Sequence, residues 1–449
     1  MLITNGTVIT MTEPNVVIEN GALLVLDGMI TDIGPTDKLQ LRHAELLRTR
    51  PVLDAEGKLI LPANICAHTH FYGAFARGMA LPGDPPRNFM EVLQKLWWKL
   101  DRALDLEGVK YSALVCLLDA IKHGTTTLID HHASPNAIEG SLDAIAEAVK
   151  QSGLRAALCY EVTDRNGLDG AKRGIEENVR FAISTLRARS PYLAAAMGIH
   201  ASFTVGNDTL NACAEKARQL GIPIHLHVAE DMADEDDSYR RYRVSVVERL
   251  AIHRALSEKT ICAHCVHISE REMEVLANYQ AKVTHQPRSN MNNGVGVARV
   301  DAMLERGICV GLGNDGFSND AFAEMKVCDL LHKSHALDPR AMGANKVTRM
   351  AYQNNAKIAQ CFWPEMRGTL EIGAPADIIF VDYKPFTELN EANAAWHLLF
   401  GVHGGMVTHT ICNGQVIMAN RTLLTLDEAE IVAKAREAAD WAWKRVASM

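Results

Sequence analysis

A chain of 449 residues with 48% hydrophobic and 22% charged side chains can bury a large core, which excludes the disordered and collagen-like classes. Its 46 basic and 54 acidic residues give a formal charge of −8 without a dense Lys/Arg run of the kind that follows a phosphate backbone, so nucleic acid is not an expected partner. No stretch approaches the ~18 uninterrupted apolar residues of a membrane span, residues 1–10 lack a signal-like pattern, and the ten cysteines sit in apolar patterns rather than at framework spacings; a cytoplasmic chain with no membrane contact is expected.

The chain opens with short alternating strands over 2–10, 16–19, 22–26 and 29–33, punctuated by Asn5-Gly6, Asn20-Gly21, Asp27-Gly28 and Gly34-Pro35. From residue 59 the texture changes. Apolar runs at 59–67, 127–129, 194–199, 222–228, 260–263 and 308–312 alternate with stretches at 89–103, 109–122, 141–151, 170–187 and 210–220, whose apolar positions recur every three or four residues. This alternation predicts an α/β architecture with parallel strands, and eight such units close into a (β/α)8 TIM-type barrel of about 250 residues. A doubly wound open sheet would place a glycine-rich phosphate loop after its first strand, where this chain carries His68-Thr69-His70.

Strand patterns return at 376–381, 407–412 and 415–418 around an Asn413-Gly414 hairpin signal, and 426–446 reads as a helix with Thr425 and Glu428 at capping-box spacing. The two ends are expected to pair as one small β-sandwich. The resulting division is residues 1–57 for the first part of the sandwich, 58–366 for the barrel, 367–422 for the rest of the sandwich and 423–449 for the terminal helix.

His68 and His70 stand two apart at the end of a strand, so both imidazoles share one face, which in a barrel is the interior. His225 and His227 repeat the pattern, with Ile224, Leu226 and Val228 facing outward. Four inward histidines need a partner for every ring nitrogen, and a metal ion supplies one. Asp315, in Gly313-Asn314-Asp315-Gly316 after the strand 308–312, adds a carboxylate. Imidazole with carboxylate suits one divalent ion, Zn2+ first and Fe2+ as the alternative, with a position left open.

Glu230, three residues after His227, is placed to lean over the barrel mouth, and His264 ends the strand 260–263. His131 and His132 face opposite ways, so at most one of them enters the site. His200, Arg288, Asn290 and His131 are the candidate substrate contacts. Trp97 is read as core, because Leu93, Leu96, Trp97 and Leu100 have helical spacing, and Cys262 and Cys265 are read as buried thiols rather than a structural zinc pair.

Leu61-Pro62 ahead of Ala67-His68-Thr69-His70, then His227-Val228-Ala229-Glu230, Ala263-His264, Ser289-Asn290-Met291 and Asp315-Gly316 occur in an order and spacing that resembles the amidohydrolase superfamily. The likeness is to its aminohydrolase and chlorohydrolase branch, which holds guanine, cytosine and adenosylhomocysteine deaminases and the triazine hydrolases. Leu96-Trp97-Trp98, the segment His131-His132-Ala133-Ser134-Pro135, Thr163-Asp164-Arg165-Asn166 and Arg288-Ser289-Asn290-Met291-Asn292-Asn293 most resemble an aminohydrolase group named SsnA.

The resemblance implies a metal held by His68, His70, His227 and Asp315, proton handling by Glu230, His264 and Asp315, and hydrolytic deamination of an aromatic nitrogen heterocycle: a purine, pyrimidine, pterin or triazine-like ring. It also implies a homodimer or larger homo-oligomer. Loss of chloride from a triazine-like ring is the alternative chemistry, and a non-catalytic protein on the same fold is a third reading, against which the complete ligand set argues. Two departures from the family pattern, Pro62-Ala63 for Pro-Gly and Asn314 for threonine, remove no ligand, and residues 194–205 contain no lysine to bridge a second metal.

Overall fold

The computed structural model describes residues 1–81 and 83–449. Strands from both ends of the chain form one mixed, nine-stranded sheet. Leu2–Ile9, Val17–Leu26 and Met29–Pro35 run antiparallel. The stretches 16–19 and 22–26 belong to one strand, because Asn20-Gly21 forms an irregularity within it: Asn20 takes φ 45°, and Gly21 pairs with Gly6 where the register shifts. Ile378–Val381, Val407–Cys412 and Gln415–Ala419 complete the sheet from the other end, the last two joined by the Asn413-Gly414 turn with φ 49° and 78°, as a type I′ hairpin requires.

Leu59–Pro62 links the two ends, parallel to Leu2–Ile9 and antiparallel to Ile378–Val381. The apolar run 59–67 is therefore two strands. The chain leaves the terminal sheet at Ala63 and enters Asn64–Thr69, the first strand of the middle region.

That region contains two parallel sheets. One is built from Asn64–Thr69, Thr125–Asp130, Arg155–Leu158 and Leu193–Ala195, the other from Met197–Ala201, Ile224–Val228, Ile261–His264, Lys282–His285 and Cys309–Leu312. Parallel bridges Thr69–Asp315 and Val162–Ile199 connect them. Arg155–Leu158 and Lys282–His285 carry no readable periodicity, since four residues are too few to register one. The run 194–199 is split at Ala196.

Leu106–Lys122, Ser141–Ser152, Leu168–Ala188 and Asn207–Leu220 are the helices expected, two of them stopped by left-handed glycines at Gly153 and Gly221. Residues 89–103 are helical with a π turn over Leu93–Trp97. The terminal helix Glu428–Ser448 is capped by Asp427, which accepts from the Glu430 N–H, while Thr425 donates to the Ser152 carbonyl instead of forming the capping box. Ile431, Ala435, Ala438 and Ala442 of this helix join the main core beside Leu106–Lys122. Among the described residues no helix is long and apolar enough to cross a membrane.

Arg155, 1% exposed, pins the terminal sheet to the parallel strands. Its Nη1 donates to Asp377 Oδ2 at 2.5 Å and Thr127 Oγ1 at 3.0 Å, and its Nε to the Pro191 carbonyl at 3.0 Å. Removing one partner leaves a buried charge uncompensated. Asp377→Ala is expected to lower unfolding free energy by about 3–5 kcal/mol in denaturant titration.

Candidate metal centre

His68 and His70 lie at the carboxyl end of Asn64–Thr69, a strand with every side chain buried. Asp315 follows Cys309–Leu312, and the two strand ends touch: the Asn314 and Asp315 N–H groups both donate to the His68 carbonyl, at 2.9 and 3.2 Å. Gly313 makes this approach possible. A Cβ there would stand 2.7–2.9 Å from the His68 backbone and side chain, closer than real contacts allow. Backbone strain gathers at the same rim, with Ala229 at φ 45°, His264 at φ 74° and Asp315 at φ 56°.

The imidazoles are oriented from behind. His70 Nδ1 donates to the His131 carbonyl at 2.5 Å and His227 Nδ1 to the His200 carbonyl at 2.8 Å, so in each neutral ring the lone pair sits on Nε2. These two Nε2 atoms face each other at 3.1 Å, and Asp315 Oδ1 lies 3.1 Å from His70 Nε2. His68 Nδ1 is taken by His225 Nε2 at 2.9 Å, while its Nε2 is buried with no hydrogen-bond partner and 3.9 Å from Asp315 Oδ1.

Lone pairs and a carboxylate pointing at one small space repel unless a cation lies among them. Burial, reinforced by neighbouring imidazoles, holds His68 and His227 well below the usual histidine range, which keeps them neutral as ligands must be. At His70 burial is outweighed by the Asp315 carboxylate, which pushes the pKa up to about 9, so that without an ion a proton on Nε2 takes the cation's place between these groups. Donor atoms of His68, His70 and His227 lie within 4.8 Å of one another, as do those of His68, His264 and Asp315. This donor set fits a zinc-type ion.

Glu230 and His264 stand beside it. Glu230 Oε2 is 3.4 Å from His264 Nε2, and Glu230 Oε1 accepts from Asn293 Nδ2 at 3.2 Å. Burial, opposed by His264 and assisted by Asp315, pushes the Glu230 carboxyl up to about 7. His264 Nδ1 donates to Asn290 Oδ1 at 2.9 Å, and Asp315 Oδ2 accepts from the Ser289 hydroxyl at 2.5 Å.

A cleft opens over these groups, lined by His70, His227, His200, Glu230, Asn293 and Asp315 on its polar side. Tyr72, Phe89, Leu93, Trp97, Trp98 and Phe203 form an apolar wall, so Trp97, which packs against the main core as expected, also borders the cleft. Of the candidate substrate contacts, His200 reaches the cleft. Asn290 is fully buried and holds His264, and His131 lies beneath the rim with Nδ1 3.2 Å from Glu161 Oε2. Arg288 is turned away: its guanidinium pairs with Glu324 and donates to the Ser318 carbonyl at 2.7 Å, so it does not line the cleft.

His132 bonds Ser134 at 2.9 Å and is the member of the His131-His132 pair that faces away. Glu161 is a cleft residue that sequence reasoning missed, because the short strand before it was not recognised. Asn293 was quoted in a motif without a role, although its spacing of four residues from Ser289 on a helix could have suggested one. Cys262 and Cys265 are buried and free, as expected.

The amidohydrolase family matches residues 59–417. The chain is 32% identical to 5'-deoxyadenosine deaminase of Methanosarcina acetivorans over 444 residues, 98% of each chain. It is 31% identical to 5-methylthioadenosine/S-adenosylhomocysteine deaminase of Syntrophobacter fumaroxidans over 443 residues, 97% of each. Among solved structures, the fold resembles an adenosine deaminase from Xanthomonas campestris with bound zinc, at TM-score 0.86 and 23% identity, covering 100% of this chain and 98% of that one. It also resembles the zinc complex of atrazine chlorohydrolase from Arthrobacter aurescens, at TM-score 0.81 and 21% identity, covering 98% and 99%. With a family match across most of its length and relatives that align nearly end to end, the chain belongs to the amidohydrolase family.

Proposed function

We propose that this protein is a metal-dependent aminohydrolase that replaces the exocyclic amine of a nitrogen heterocycle by water, with adenosine-type purines as the first substrates to test. The facing Nε2 lone pairs of His70 and His227, with Asp315 against them, carry this reading. His68, His70, His227 and Asp315 would hold one ion, zinc in preference to iron. When bound, such an ion makes hydroxide available near neutral pH by lowering the pKa of water from 15.7 to about 7.

The chain's own groups then divide the proton work. Asp315, held by Ser289, is the acceptor for the proton of the attacking water. His264, its Nδ1 engaged by Asn290, presents Nε2 between Glu230 and Asp315 and orients the nucleophile. Glu230 is substantially protonated at neutral pH because of its burial, which suits it to protonate a ring nitrogen and later assist departure of ammonia. The apolar wall from Tyr72 to Phe203 suits stacking on a flat ring.

The architecture proposed around this site is a (β/α)8 barrel closed through the Thr69–Asp315 and Val162–Ile199 bridges, over residues 58–366. The terminal segments 1–57 and 367–422 would form a sandwich-like domain around their own cluster of Ile3, Val8, Leu23, Ile60, Ile378 and Phe380, with 423–449 as a closing helix. The exposed, stacked Trp396 and Phe400 support a homodimer or larger homo-oligomer.

Metal analysis followed by an ammonia-release screen over purine nucleosides, free purines, pterins and triazines tests the activity; release from none of these by metal-loaded protein would overturn it. Glu230→Gln is expected to lower turnover roughly 10²–10⁴-fold while bound metal stays near wild type, measured by steady-state kinetics and elemental analysis. Gly313→Ala, which drives a methyl into the His68 backbone, should lower metal content along with activity. Exhaustive chelation should abolish deamination, and added Zn2+ should restore it.

A further inference from the structure

Outside that centre, His285 at the end of Lys282–His285 meets Cys328 and His332 of the helix Ala321–Ala336. One donor atom from each lies within 4.8 Å of the other two, and all three residues are buried. The imidazoles approach Nε2 to Nε2 at 3.2 Å. Two nitrogens bound at roughly 2.0–2.1 Å to a tetrahedral ion stand ~3.3 Å apart, so the rings are spaced as ligands of one ion would be.

A hydrogen bond between the rings engages the two Nε2 atoms and leaves the Cys328 thiol, free and buried, outside it. Of the carboxylates that act on Cys328, Glu324 pairs with Arg288, Asp301 with Lys346 and Asp329 with Lys333 through Oδ1, which leaves Asp329 Oδ2 buried without a hydrogen-bond partner. Burial and these carboxylates push the Cys328 thiol well above its usual range, so loss of its proton would depend on the bond to the ion.

We propose that His285, His332 and Cys328 form a second cation site, separate from the candidate metal centre, that takes one thiophilic divalent ion of the zinc class. Binding forms a metal–sulfur bond and releases the thiol proton to solvent. The site backs onto the segment that carries Asp315, because the His285 carbonyl accepts the Gly313 N–H at 3.0 Å. Its ion would brace that segment and would not touch substrate.

Cobalt(II) is the probe. A thiolate-to-cobalt charge-transfer band in the near ultraviolet reports cysteine ligation, and its loss in Cys328→Ser assigns it to this site rather than to His131, Cys159 and His225, which form another such group. Full-length protein, stripped by chelation and titrated with Co2+, is expected to develop this band and to bind one equivalent more than Cys328→Ser or His332→Gln. Both variants are expected to lose the band and keep the remaining cobalt. Absence of the band from the wild type, or its full persistence in folded Cys328→Ser, would overturn the proposal. If Cys328→Ser does not fold, Cys328→Ala and His332→Gln carry the same reading.

Discussion

Mutual repulsion among electron pairs is the constraint around which the cleft is organised. His70 and His227 are each clamped through Nδ1 by a backbone carbonyl, so neither ring is free to turn its Nε2 away. Clamping of this kind costs stability in a bare protein, a cost that the ion proposed for this site would offset. The demand extends to the backbone: Gly313 must lack a side chain for the strand bearing Asp315 to close on the strand bearing His68.

Below the rim, a second tier of polar groups keeps the first in place. His225 meets His68, His131 meets Glu161 and the His225 carbonyl, and Glu161 Oε1 lies 3.7 Å from His200 Nε2. These residues are almost wholly buried, so each interaction is made in a medium that strengthens it and penalises its loss. On the other side, a chain of hydrogen bonds through Asn293 and Ser289 ties Glu230 to Asp315, so the two carboxylates proposed to move protons keep a fixed separation.

Much of this was legible in the sequence because strand periodicity is rigid. His68 with His70, and His225 with His227, announce a shared face, and Asp315 announces itself by following an apolar run. Both terminal sheet segments were readable from their turn residues. The misreadings have local causes. Arg288 looked available beside Ser289 and Asn290, and nothing in its neighbourhood reveals Glu324, thirty-six residues later, as its partner. Glu161 follows a strand of four residues, too short to display a period, and Leu59–Pro62 runs almost directly into Asn64–Thr69, so two strands in different sheets look like one. The π turn at Leu93–Trp97 breaks the uniform 3.6-residue repeat assumed across 89–103, so the core reading of Trp97 holds while its place beside the cleft was not readable.

That irregular turn separates two evolutionary liberties. A π turn arises where a helix accommodates one extra residue, and here it swings Leu93 and Trp97 to the border of the cleft without drawing on the parallel strands. The part of the wall supplied by Phe89, Leu93, Trp97 and Trp98 can therefore be lengthened, shortened or re-aimed within residues 89–103 without touching the histidine-bearing strands. Diversification of ring preference on an unaltered ion-binding frame becomes a matter of local insertion rather than of rebuilding the scaffold.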